Sequence, residues 1–343
     1  MLNKITLKFL FDSLLLSLIV LMINYNQLVI YAARMARGEI HIVLNSRPIN
    51  KYLSDPDFPD SLKKRLNLIK EVRKYAMDSL GLSGSRNYTE YYDQHNKPAI
   101  WVLTACDPFS LKIKVWKFPF LGSVPYKGFF HKEEALYDQQ QLMISGYDTK
   151  LGTTSGWSTL GWFQDPILSN MIMQSEGSIA ELIIHELTHS TIFIKDNVQF
   201  NENIANFIGE EGAKKFLIFR FGSESYEFIN YLNFQKDEII YSNYVLHCIQ
   251  KLDSLYKTFT EGMLYKEKKE KKESMIEEIV VGVSHLPLKN KYRYIRLSKK
   301  AIICKNAFFM EFVRYDAEHE DFDKKLKEKY SDNLRDFIQH LKE

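Results

Sequence analysis

The sequence predicts an α+β fold in which a small sheet lies beside two helices that meet at a metal site, with a long helical region after them and a membrane helix before them. Three observations carry this prediction. Residues 185–189 read His-Glu-Leu-Thr-His inside an apolar stretch with helical spacing, residues 99–115 change to strand patterns, and apolar residues from Ile229 to Phe259 return to a helical period. The chain has 343 residues and is 45% hydrophobic, enough for one large or two medium domains with a sizeable core. A formal net charge of +3 makes no electrostatic case for nucleic acid. The three scattered cysteines, Cys106, Cys248 and Cys304, are too few for a disulfide framework or a thiolate metal site. Four regions are expected: 1–33 as a signal anchor or transmembrane segment, 34–98 as a helical N-terminal region, 99–222 as the core bearing the metal site, and 223–343 as a helical C-terminal region completing the domain.

Residues 9–23 are apolar except for Asp12 and two serines, the apolar run resumes over 28–33, and Lys4 and Lys8 precede it. This pattern reads as an uncleaved signal anchor, which puts the rest of the chain outside the cytoplasm; the alternative is an apolar helix docked on the protein's own core. Residues 34–82 read as amphipathic and helical. Leu62, Leu66, Ile69, Val72, Ala76 and Leu80 recur every three or four residues, with Pro59-Asp60 at the start and Gly81 at the end. Residues 83–98 are turn-rich. Residues 99–105 then form a continuous apolar run and 111–115 alternate with period two, as in a half-exposed sheet. Residues 131–145 read as a helix, and Gly146-Tyr147-Asp148 returns to extended chain. Residues 155–166 are dense in aromatics and glycine; they are either the cleft's edge strand and substrate wall or a buried turn that packs the next helix.

In a helix, positions i and i+4 lie one above the other, so His185 and His189 can meet one metal ion. Glu186 is about 100° further round, near enough to reach a water on that metal and poorly placed to ligate it, which is the geometry of a general base. Ser178 and Glu181 form an S-x-x-E pattern that starts this helix. Lys195-Asp196-Asn197 reads as a turn, and a second helix runs from about Phe200 to Phe221, where Gly222 stops it. Glu202 lies in its first turn. Asp196, Glu210 and Glu211 are the competing carboxylates, and small Ala205 and Gly209 allow this helix to approach the first closely. Beyond Gly222 long helices are expected, with the mixed-charge run 266–273 on a solvated tip or face, 301–315 returning to the core, and a charged helix from Asp321 onward.

Several stretches resemble one family, the predicted zinc aminopeptidases of bacteria, which are gluzincin-like HExxH metallopeptidases. They are Phe109-Ser110-Leu111, residues 116–119 and 122–130, Trp157 to Pro166, the HELTH helix, residues 198–203 with 209–212, and Lys305-Asn306-Ala307. The resemblance implies a zincin-like core with one Zn2+ on His185, His189 and Glu202, and with Glu186 as the catalytic base. Asn206 then stands where that group often has a carboxylate orienting a ligand histidine. The expected activity is zinc-dependent hydrolysis of peptide bonds, aminopeptidase-like, on a peptide or protein substrate, in a protein anchored to a bacterial membrane on its extracytoplasmic side. Alternatives are an envelope endopeptidase, or a non-catalytic zinc-containing scaffold. A second donor for the oxyanion is expected, usually Tyr or His in such sites; Tyr244, His247, His285 and Tyr315 are candidates among many.

Overall fold

The computed structural model describes residues 26–84, 86–118, 122–153, 164–195, 197–314 and 319–342. Helix α1 (Asn26–Asn45) leads into strand β1 (Arg47–Pro48), then α2 (Ile49–Ser54) and α3 (Asp60–Asp78). Strands β2 (Glu90–Tyr92), β3 (Trp101–Cys106), β4 (Trp116–Phe118), β5 (Gly122–Val124) and β6 (Lys127–Phe129) follow, then α4 (Lys132–Ile144), β7 (Asp148–Thr153) and β8 (Ile167–Leu168). The remainder is helical: α5 (Glu176–His189), α6 (Val198–Phe221), α7 (Tyr226–Lys257), α8 (Tyr265–Gly282), α9 (Lys291–Ser298), α10 (Lys300–Cys304), α11 (Asn306–Phe309), α12 (His319–Tyr330) and α13 (Leu334–Leu341).

The single sheet expected beside the site is replaced by three small ones. In the first, β1 runs antiparallel to β2, and β2 pairs in parallel with β8, Tyr91 opposite Ile167. In the second, β3 is central and antiparallel to both β6 and β7, with Leu103 opposite Lys127 and Leu151. The third is the β4–β5 hairpin. Residues 111–115 make no strand, despite their alternation. Ile113 forms an isolated bridge with Cys106, and Lys114 N–H donates to the Ala105 carbonyl, on the short edge of β3 that β6, paired only with residues 101–103, leaves uncovered.

The membrane helix is also corrected. Among the described residues no helix is long and apolar enough to cross a membrane. Residues 1–25, which hold most of the expected span, lie outside the described residues; residues 26–33 belong to α1. That helix continues through Arg34, Arg37 and Glu39 and docks on the protein. Tyr31 donates its hydroxyl hydrogen to the Gly128 carbonyl at 2.9 Å, Arg34 pairs with Glu134 of α4 at 3.1 Å, and Ile42 is buried. A Cβ on Gly38 would lie 2.1 Å from the Phe130 ring, so close packing fixes this helix against the body. The expected membrane anchorage, extracytoplasmic placement and membrane partner are therefore withdrawn.

The largest core gathers α3, α5 and α6 with contributions from α7, α12 and α13; Leu66, Val72, Ile184, Leu187, Phe207, Leu217 and Ile338 lie within it. A second core joins the distal half of α7 to α8–α11 around Tyr241, Leu252, Ile276 and Phe309. The helices that carry His185, His189 and Glu202 are in the first core, which makes their backbones a rigid frame.

Candidate metal centre

The α5 helix starts three residues earlier than its S-x-x-E pattern suggests. Ser175 is the N-cap, its hydroxyl accepting from Ser178 N–H at 3.2 Å. Glu181 is freed from capping and instead accepts hydrogen bonds from Tyr231 (2.8 Å) and Gln235 (3.0 Å) of α7. Ile179, Ile183, Ile184 and Leu187 are buried, which turns His185 and His189 to the opposite side of the helix. The chain then reverses through a short loop, and Asn201 holds it shut. Its side chain accepts from Ile194 N–H and donates to the Ile194 carbonyl, both at 2.8 Å. Asn197 caps α6, accepting from Phe200 N–H, and Gly222 ends it with φ of 95°.

Helices α5 and α6 approach closely because glycine allows it. A Cβ on Gly209 would stand 3.0 Å from the Glu181 carbonyl and 3.2 Å from the His185 Cβ; one on Gly212 would meet Ile184 at 2.9 Å. This contact brings Glu202 to the histidines. His185 Nε2 and His189 Nε2 are 3.1 Å apart, and the Glu202 carboxylate oxygens lie 3.7 Å from the first and 3.5 Å from the second. A tetrahedral zinc ion with ligands at about 2.0–2.1 Å separates them by about 3.3 Å, so the three atoms have the spacing that such an ion needs. Among the described residues no fourth His, Cys, Asp or Glu joins them. Glu202 is half-exposed while the imidazoles are largely covered, so the site opens to solvent on the glutamate side.

The electrostatics fit a cation. Burial pushes His185 down to about 3, with His189 adding to the effect, and burial also lowers His189. Both imidazoles are therefore neutral near pH 7, the form that ligates a metal. Asn206 accepts a hydrogen bond from His185, as its place one turn after Glu202 suggests. Glu186 lies beside the trio. Its carboxyl is raised to about 8, chiefly by burial and then by the nearby Asp165 and Glu202, against a hydrogen bond from Tyr88 that acts in the opposite sense. A divalent cation adjacent to it favours the ionised form.

The competing carboxylates go elsewhere. Glu210 faces Glu181, Glu211 pairs with Lys214 at 2.6 Å, and Asp196 lies outside the described residues. The suggested oxyanion donors are not gathered here. Tyr244 donates to the Ile279 carbonyl in the second core, His247 and His285 are exposed on the same helical region, and Tyr315 lies outside the described residues. Residues 155–163, most of the aromatic stretch before β8, lie outside them too. Tyr88 is the aromatic residue that sequence reasoning missed.

A family model described as "Putative aminopeptidase" matches residues 30–343. The chain belongs to that family. No curated protein and no solved structure matches the chain. The family's description names an aminopeptidase, in agreement with the resemblance read from the motifs; it does not mention zinc. Within this family member, the His185–His189–Glu202 trio is a group able to hold a metal ion.

Proposed function

We propose that the protein is a zinc-dependent aminopeptidase in which His185, His189 and Glu202 hold one Zn2+ and Glu186 is the general base. The observation that supports this most is the convergence of three neutral or anionic donors at 3.1–3.7 Å with a carboxylate next to them that ligates nothing. Zinc held there supplies a Lewis acid that lowers the pKa of water toward about 7 and polarises the scissile carbonyl. The protein supplies the rest. Asn206 orients the His185 ring, the α5–α6 contact fixes the Glu202 carboxylate, and Glu186 takes a proton from the attacking water and returns it to the leaving amine.

The test is metal analysis and peptide hydrolysis of the wild-type chain beside Glu186→Gln. One zinc per chain in both, with hydrolysis lost in the variant by roughly 10²–10⁴-fold, is expected. Unchanged hydrolysis removes Glu186 from its role, and loss of zinc from the wild type removes the metal. Paired peptides with free and acetylated amino termini decide the mode of action: an aminopeptidase rejects the blocked ones, and equal cleavage of both identifies an endopeptidase.

A further inference from the structure

The turn at residues 86–89 is remote in sequence from the HELTH helix, yet it delivers a side chain to Glu186. Tyr88 is 1% exposed, and its hydroxyl donates a hydrogen bond to the Glu186 carboxylate. Its backbone φ is 60°, in the left-handed region that bulky residues avoid. Such a conformation persists only where surrounding structure over-determines it.

Here the surroundings do so. Tyr88 N–H donates to the Asp165 carbonyl at 2.7 Å, and Asp165 N–H donates to Asn87 Oδ1 at 3.1 Å. Gln164 Nε2 donates to Thr89 Oγ1 at 2.6 Å, and Ile49 N–H donates to the Thr89 carbonyl at 3.1 Å. The Gln164-Asp165 pair just before β8 and the first residue of α2 thus grip the turn from two sides. A glutamate side chain has several rotamers available, and only some present an oxygen to a water at the metal corner. One donor on one carboxylate oxygen leaves the other oxygen as the acceptor for that proton.

We propose that Tyr88 is a positioning residue for the general base: its hydroxyl fixes the rotamer of Glu186 toward the ligand trio, and the left-handed turn exists to place that hydroxyl. The proposal rests on the functional reading above, so its test contains a readout independent of turnover. Tyr88→Phe removes one oxygen while keeping the ring and the backbone; it is made in the full-length chain and again in a Glu186→Ala background. In the first, kcat is expected to fall roughly ten- to hundredfold, with KM within about twofold and zinc content unchanged, the split that distinguishes misorientation from lost binding. The thermal unfolding midpoint is expected to fall by about 2–4 °C in the otherwise wild-type chain and to stay put in the Glu186→Ala background, where the hydroxyl has no carboxylate to serve. Equal midpoint shifts in both backgrounds, or an unchanged kcat, overturn the proposal. If the wild-type chain hydrolyses no peptide, the functional reading fails, and the midpoints alone decide whether Tyr88 holds Glu186.

Discussion

Asn206 and Glu181 show how single side chains prepare this site from behind. Asn206 supports the His185 ring, so Asn206→Leu leaves that imidazole without its acceptor; zinc affinity is expected to fall roughly ten- to hundredfold, read by competition with a chelator of known affinity. Glu181 is one turn before His185, and burial lifts it from its ordinary 4.5 to about 7, with Glu210 and Glu238 opposing its ionisation and Lys214 and the Tyr231 hydrogen bond favouring it. Its folded-state pKa is above the unfolded one, so this group's penalty is absent below pH 4.5, grows as pH rises to about 7, and is constant beyond. Stability measured by denaturant titration should decline less across that window in Glu181→Gln than in the wild type; parallel curves would show that Glu181 titrates normally. At this scale the sequence was legible where chemistry repeats at a helical interval: His185, Glu186 and His189 are set by i and i+4, and Asn206 by its place one turn after Glu202. Tyr88 was not legible. Its partner lies far along the chain, and no local pattern marks a turn tyrosine as one that points inward.

At the scale of elements, the α5–α6 pair depends on glycine. A side chain at Gly209 must displace either the Glu181 carbonyl or the His185 Cβ, and both belong to the helix carrying the histidines. Gly209→Val is therefore expected to lower metal affinity more than stability, seen as zinc lost on dialysis from a chain that still unfolds cooperatively; zinc retained at full stoichiometry would show that the helices adapt. The helices themselves were readable because caps and periodicity are local: Asn197, Gly222 and the Asp60–Asp78 stripe behave as their residue types dictate. Misreadings arose where local patterns compete or where partners are remote. Ser175 outcompetes Ser178 as cap because Glu181 is drawn to Tyr231. The pairing of β2 with β8 joins segments that no spacing rule connects, and residues 111–115 have the alternation of a strand but meet β3 only at its end, through the bridge of Ile113 with Cys106. Lys272 departs in another way. It lies in a charged run that reads as solvated, yet it is buried and paired with Asp148.

Across the whole molecule, that ion pair is part of a polar knot tying the sheets to the C-terminal helices. Lys272 also donates to the Pro108 carbonyl; Asp148 accepts from Asn306 N–H at 2.9 Å; and Asn306 Nδ2 donates to the carbonyls of Asp107, Pro108 and Ser110, while Tyr256 donates to its oxygen. Lys305, with φ of 50°, makes the turn that presents Asn306. Two motifs distant in sequence, Phe109-Ser110 and Lys305-Asn306, thus meet in space. Lys272→Met strands a buried carboxylate and is expected to cost roughly 3–5 kcal/mol in denaturant unfolding, with part recovered when Asp148→Asn is added; no recovery would mean the lysine acts through the Pro108 carbonyl alone. The three proposed ligands, by contrast, come from one helical hairpin closed by Asn201 upon Ile194. Joining neighbours along the chain costs little loop entropy, whereas bringing the turn at residues 86–89 to the same place closes a far longer loop. During renaturation the chain should accordingly take up its cation before it regains turnover, passing through a stage that chelates without cutting.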